Sequence, residues 1–201
     1  MTTNRKIAIA VGVLFFTATI SYGVGNALIA SALEAQDDLS SPNIAQIRIG
    51  VLLEFINSAA VVGIGVLLFP ILRRYSEGMA LGYAGSRIIE SVLLLMGALS
   101  ALLLLTLRWY DLAFQMAMIA LGAGSLLLCY ILYKNRLVPR VISVLGFVGY
   151  IALFAYGWSE IFGQNIGLVL FIPGAIFEIV FPLWLIVKGF NEPAVTARSV
   201  K

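Results

Sequence analysis

Residues 46–72 read QIRIGVLLEFINSAAVVGIGVLLFPIL, and this run decides the fold. A helix needs about 20 mostly apolar residues to cross a membrane, whereas a transmembrane strand shows about 10 residues of alternating pattern. The run therefore predicts a spanning helix, and five similar runs fill most of the remaining chain. We predict an all-α, polytopic transmembrane bundle of six helices, at about 7–30, 46–72, 79–107, 112–133, 138–159 and 166–188.

The composition agrees with a chain whose outer surface faces lipid. Of the 201 residues, 61% are hydrophobic and only 11% are charged, and the mean hydropathy is +1.02. These values lie outside the range of soluble globular domains. We expect residues 1–201 to form a single integral membrane domain whose main partner is the lipid bilayer.

The distribution of basic residues predicts the orientation of the helices. Basic residues favour the cytoplasmic side of short loops. One predicted side carries most of them, namely Arg5, Lys6, Arg73, Arg74, Lys134, Arg136, Arg140, Lys188, Arg198 and Lys201. Both termini are therefore predicted to be cytoplasmic, which agrees with an even number of spans, since that number places the two termini on the same side. Topology then explains the net charge of +3, so we infer no nucleic-acid partner from it.

Three local features have simple structural interpretations. The first apolar run follows Arg5 and Lys6 but is too long for the 7 to 15 residues of a signal-peptide core, so we expect it to be a spanning helix. Residues 33–43 read as a solvated acidic loop whose Ser-Ser-Pro-Asn end caps the second helix. The single cysteine, Cys129, reads as a small packed apolar residue.

Ionisable residues inside the predicted helices are the candidates for function. A charge at the bilayer centre costs about 2.5 to 3.5 kcal/mol on insertion scales. Four ionisable residues lie at membrane depth: Glu54 near the middle of the second helix, and Arg87, Glu90 and Glu178 nearer the cytoplasmic side. Asn57 lies one turn from Glu54 on the same face. Because successive helices alternate in direction, we expect these five residues to reach similar depths and to form a polar site.

The charges of this predicted site do not balance. Three glutamates face one arginine, so at least one carboxylate should be protonated, matched by a bound cation or in reach of water. Structural alternatives stay open, because Arg87 also fits a local pair with Glu90, and Glu54 with Asn57 fits interhelical packing. Four further residues fit either a cavity lining or an interfacial anchor, namely Tyr83, Gln115, Tyr130 and Tyr150.

The residue types limit the chemistry. The chain has no histidine, which removes the common zinc, haem and serine-triad designs. No phosphate-binding glycine loop or paired-cysteine motif is present. We expect no cofactor and no metal, assign no catalytic residue, and lean against an enzyme.

Several short elements together resemble a known family. They are Arg48-x5-Glu54, Phe69-Pro70-Ile71-Leu72, Gly82-Tyr83-x3-Arg87-x2-Glu90, Val138-Pro139-Arg140 with Leu145-Gly146, and Ile172-Pro173-Gly174 with Phe177-Glu178 and Trp184-Leu185. With them, most of the chain resembles the bacterial membrane proteins catalogued as domain of unknown function 4386. The resemblance implies a six-helix protein of the bacterial inner membrane. It implies no activity, because that family has no established one.

The sequence therefore leaves three classes of function open. The first is binding of a small hydrophobic or cationic molecule, or of an ion, in a transporter-like protein or a sensor. The second is a structural or interaction subunit with a closed charge network, acting in a homo-oligomer or a membrane complex. The third is an intramembrane enzyme that uses a carboxylate as acid or base.

Overall fold

The chain forms six α-helices, seen in a computed structural model that describes residues 2–34, 43–104, 106–164 and 168–191. The helices are α1 (Thr3–Glu34), α2 (Ile44–Leu72), α3 (Glu77–Leu104), α4 (Leu107–Asn135), α5 (Arg140–Ile161) and α6 (Phe171–Val187). No strand occurs in those described ranges. The predicted all-α fold with six helices is thus confirmed. Most of the predicted acidic loop, at 35–42, lies outside the described residues.

Five of the six helices, α1 to α5, are long and apolar enough to cross a membrane. The sixth is shorter, with 17 residues, and follows a single 3₁₀ turn at Leu168–Leu170. Turn and helix together rise about 31 Å, close to the ~30 Å of a hydrocarbon core. Membrane crossing by α6 and the cytoplasmic position of both termini remain predictions.

Side chains and backbone conformation set the helix ends. The Asn43 side chain accepts a hydrogen bond from the Gln46 amide at 3.2 Å, so the end of the predicted loop does cap α2. Thr106 caps α4 in the same way, accepting from the Arg108 amide at 3.3 Å. The fourth helix was predicted to begin near residue 112. It begins at Leu107, because the Thr106 cap precedes the charged residues Arg108 and Asp111, which therefore lie inside the helix.

The helices form a closed ring in chain order. Each helix packs against the next one along the chain, and α6 packs against α1. Glycines permit close approach at two of these contacts. A Cβ on Gly149 would lie 2.6 Å from the Cα of Gly174, and one on Gly50 would lie 2.9 Å from the carbonyl oxygen of Gly25. Both contacts lie four residues before a carboxylate, because Glu178 follows Gly174 and Glu54 follows Gly50 on the same helix faces.

The contact between α1 and α6 closes the ring. The Arg5 side chain donates to the carbonyl oxygens of Leu185 at 2.8 Å and Val187 at 3.1 Å, and also to that of Ile186. These are carbonyls of the last turn of α6, which the helix itself does not satisfy. Two turns along α1, Gly12 packs against α6, where a Cβ would lie 2.8 Å from the Pro182 carbonyl oxygen. The two helices are therefore held tightly at this end of the ring.

Polar and small residues form a stripe on α2 and another on α3, and both stripes face inward. The stripe residues Gly50, Glu54, Asn57, Ser58, Val61 and Gly65 on α2, and Arg87, Glu90, Ser91, Leu94, Gly97 and Ala98 on α3, are all buried. Ser58 and Ser91 join the two stripes by reciprocal hydrogen bonds, each hydroxyl donating to the other's carbonyl oxygen at 3.4 and 3.2 Å. This pair places Asn57 and Glu90, their chain neighbours, at the same level of the bundle.

Candidate ligand-binding cavity

A cavity of about 170 Å³ lies inside the ring of helices. All six helices contribute to its wall. Its charged and polar lining consists of Asn57, Arg87, Glu90 and Glu178, together with Thr19 and Tyr22. The rest of the wall is apolar or aromatic, so the charged groups are concentrated in a small part of a mostly apolar surface.

Aromatic rings bound the cavity on one side. Tyr22, Phe114 and Phe171 line it and stack in series across three helices, with centroid distances of 5.2 Å between Tyr22 and Phe114 and 6.0 Å between Phe114 and Phe171. Tyr156 packs edge-on against Phe171 at 4.5 Å. We call Tyr22, Phe114 and Phe171 the aromatic wall.

A second group of rings lies at the opposite end of the cavity. Phe15 lines the cavity and packs edge-on against Phe181 at 5.6 Å. Phe181 stacks on Phe177, which in turn meets Tyr150. These rings are buried between α1, α5 and α6, so Phe15 joins the cavity wall to an aromatic part of the core.

Arg87 and Glu90 form an ion pair in the cavity wall. The Arg87 Nη1 lies 2.9 Å from the Glu90 Oε2, and both side chains are about 4% exposed. The guanidinium also lies over the ring of Phe15, at 5.9 Å from its centroid. Its buried Nε has no hydrogen-bond partner in the described part of the chain. The local pair on α3, which the sequence left open as a structural alternative, is thus formed, and the Nε of the guanidinium is not engaged by it.

Glu178 completes the charged part of the cavity. It extends from α6 into the lining and is half-buried, and its charge interacts with that of Arg87. Among the described residues, no basic nitrogen lies within ion-pair distance of its carboxylate. The cavity therefore contains one carboxylate that no arginine or lysine pairs directly.

Glu54 lies beside the cavity and is not part of its lining. Its side chain is fully buried, and each carboxylate oxygen accepts one hydrogen bond, from the Tyr110 hydroxyl at 3.0 Å and from the Asn57 amide at 3.3 Å. Asn57 also lines the cavity and so connects the two groups. The structure thus brings Asn57, Arg87, Glu90 and Glu178 to one cavity and places Glu54 behind Asn57.

Sequence reasoning missed most of the lining. The aromatic wall and Phe15 were not among the candidates, because an aromatic residue in an apolar run carries no mark of the face on which it lies. Of the four residues suggested as lining or anchors, Tyr83 and Tyr150 are buried in the surrounding core. Gln115 lies in a separate groove at the ends of α4 and α5, and Tyr130 is 40% exposed and accepts a hydrogen bond from Lys134.

The cavity reaches the outside of the ring between α1 and α6. Thr19 and Ala175 line the cavity and are exposed. Each lies seven residues, or about 10 Å, from the tight contact between Gly12 and Pro182, in the direction away from the Arg5 contact. The neighbouring residues Ile20 and Ile172 are exposed and apolar, so the opening faces the same surroundings as the lipid-facing side of the bundle.

Comparison with known proteins places the chain in a family. The model of the domain of unknown function DUF4386 matches residues 10–109 and 101–189, which together cover most of the chain. The chain belongs to the DUF4386 family. This confirms the resemblance inferred from the sequence. No curated protein and no solved structure matches the chain.

Two of the elements that suggested the family meet at the cavity of this DUF4386 protein. The element Gly-Tyr-x3-Arg-x2-Glu supplies Arg87 and Glu90 from α3, and Pro-Gly-x2-Phe-Glu supplies Gly174 and Glu178 from α6. These segments are about 90 residues apart in the chain and lie on helices that do not adjoin in the ring. The fold of this DUF4386 chain brings them to one cavity.

Proposed function

We propose that this multi-pass membrane protein binds a small molecule or ion in the cavity between its six helices, as a transporter-like protein or a sensor. We further propose that it resides in the bacterial inner membrane with both termini in the cytoplasm. The observation that carries the binding proposal is Glu178, a carboxylate that lines the cavity without a basic partner.

The energetic cost of this arrangement supports a binding role. Protein interiors are close-packed, and cavities that stay empty are apolar. This cavity instead has Arg87, Glu90 and Glu178 in its wall. Ionisable groups are expensive at membrane depth, and polar side chains there mark pathways or ligand contacts by default. A ligand that interacts with Glu178 offsets part of that cost.

Native mass spectrometry tests this proposal. The protein is extracted gently from its host membrane and compared with the variants Glu178→Gln and Glu77→Gln. Glu77 lies exposed in the first turn of α3, so its substitution makes the same chemical change away from the cavity. We expect a discrete bound mass in the wild type and in Glu77→Gln, and its loss in a folded Glu178→Gln. The same heterogeneous phospholipid in all three would contradict the proposal.

A structural role is the second candidate, and Glu54 is the observation that favours it. Both oxygens of this buried carboxylate are already hydrogen-bonded, and its partner Tyr110 is on another helix. A closed network of this kind fits a structural or interaction subunit of a membrane complex. If the whole polar cluster served this role, Glu178→Gln would lower the melting temperature and change no bound mass.

A further inference from the structure

We propose that the ligand is a lipid-soluble ammonium compound whose apolar body is about the size of one aromatic ring. This inference rests on the proposed function, because it names the chemical class that the same cavity would bind. Four features of the cavity lead to it, namely its charge, its aromatic wall, its volume and the direction of its opening.

The formal charge of the lining favours a cation. Arg87 contributes one positive charge, and Glu90 and Glu178 contribute two negative charges when ionised. Arg87 lies 2.9 Å from Glu90, and among the described residues no basic nitrogen lies within ion-pair distance of Glu178, so we assign the surplus negative charge to Glu178. One ammonium group near Glu178 would make the cavity neutral. A monovalent anion would instead double the imbalance.

The aromatic wall supplies an apolar surface for the body of the ligand. Its three rings stack with planes 10 to 11° apart, so their faces are turned mainly towards each other, and the body of the ligand packs against the side of this stack. Tyr22, Phe114 and Phe171 line the same cavity as Glu178. Arg87 lies over Phe15, on the other side, so the protein's own cation does not occupy the aromatic wall.

The volume and the polarity of the lining set the size and type of the ligand. A cavity of about 150 Å³ in a protein core holds benzene, and this cavity measures about 170 Å³. An inorganic cation such as Ca²⁺ or Mg²⁺ needs about six oxygen ligands. The lining supplies two carboxylates amid a largely apolar surface, which suits an organic cation better.

The opening indicates where such a ligand comes from. Thr19 and Ala175 bring the cavity wall to the outer surface of the ring, between α1 and α6 and beside exposed isoleucines. A surface of this kind within spanning helices faces lipid tails. An amine with an apolar body partitions into the bilayer and reaches the opening from there, whereas a strongly hydrated cation does not.

Three ring-sized probes of different charge test the inference. Benzylammonium, benzyl alcohol and benzoate have similar volumes and are titrated calorimetrically into the protein in nanodiscs of zwitterionic lipid, with protein-free nanodiscs as the blank. We expect benzylammonium to bind at least tenfold more tightly than either other probe. Glu178→Gln should remove this preference while benzyl alcohol binding stays within twofold, and Glu77→Gln should leave all affinities unchanged.

The outcomes separate this inference from the proposed function. If benzoate or benzyl alcohol binds as tightly as benzylammonium, the ligand class is wrong and the cavity is still a binding site. If none of the three binds, both proposals fail for ligands that fit this volume. Should Glu178→Gln not fold, Glu178→Asp replaces it, because it keeps the charge and moves the carboxylate back by one methylene group. It should weaken benzylammonium binding more than benzyl alcohol binding, and equal losses would overturn the inference.

Discussion

The hydrogen bond between Tyr110 and Glu54 allows the sharpest test of how the bundle is held together. Tyr110 lies at the start of α4 and Glu54 lies on α2, so this bond spans two helices that do not adjoin in the ring. Tyr110→Phe removes one hydroxyl and leaves the ring in place. It deprives a fully buried carboxylate of one of its two hydrogen-bond donors.

The expected magnitude follows from the burial of Glu54. Hydrogen bonds to charged groups contribute about 1.5 to 3 kcal/mol in soluble proteins. Interhelical hydrogen bonds in membranes average about 0.6 kcal/mol and reach about 1.7 kcal/mol. Since the Glu54 carboxylate is inaccessible and only Asn57 would remain as a donor, we expect a loss near the upper membrane value, about 1.5 kcal/mol. For a chain of this length that corresponds to about 3 to 6 °C in melting temperature.

The assay is reversible unfolding of the purified protein in mixed micelles. Tyr130→Phe is the matched control, because Tyr130 is on the same helix but is 40% exposed, and its hydroxyl accepts a hydrogen bond from the exposed Lys134. We expect a change below about 0.5 kcal/mol there, as for most surface substitutions. A double-mutant cycle of Tyr110→Phe with Glu54→Met then isolates the coupling. If Tyr110→Phe behaves like the control, or if the coupling is zero, the hydrogen bond does not hold α2 to α4.

Two further predictions concern helix packing. Gly149→Ala should lower the free energy of unfolding by about 1 to 3 kcal/mol, because the new methyl group would lie 2.6 Å from the α6 backbone. Its control is Gly85→Ala, whose new methyl group meets no atom within 4 Å and which should be neutral or stabilising in the same unfolding assay. Arg5→Gln should cost about 1 to 2 kcal/mol by leaving carbonyls at the end of α6 without a charged donor, whereas Lys6→Gln, on an exposed neighbour, should cost little. If thermal unfolding shows the same loss of stability for a variant and its control, the contact that the variant removes does not stabilise the bundle.

Much of the architecture was predictable from local pattern. Continuous apolar runs predicted six helices, and the spacing of Glu54 and Asn57 predicted that both lie on one face of α2, where both are buried. These features depend on helix periodicity and on the cost of polar groups in lipid, both of which act within one helix. The ion pair of Arg87 with Glu90 was predictable for the same reason, since its partners are three residues apart.

The boundary between α3 and α4 shows where local pattern misleads. Arg108 and Asp111 look like loop residues in an apolar context, yet both lie inside α4 because the Thr106 hydroxyl starts the helix before them. A helix in a membrane protein extends past the hydrocarbon region, so charged residues can belong to its first turns.

The sequence by itself determined which residues are expensive to bury, namely Glu54, Arg87, Glu90 and Glu178, because that cost depends on residue type and on the helix that contains it. Which of those residues line the cavity and which lie outside it depends on the tertiary structure. The packing of the six helices places Glu178 in a cavity with Arg87 and Glu90, and it places Glu54 within hydrogen-bond distance of the Tyr110 hydroxyl. Both arrangements join residues that are far apart in the chain. The aromatic wall has the same origin, since its rings come from three helices and form one surface only when the ring of helices closes.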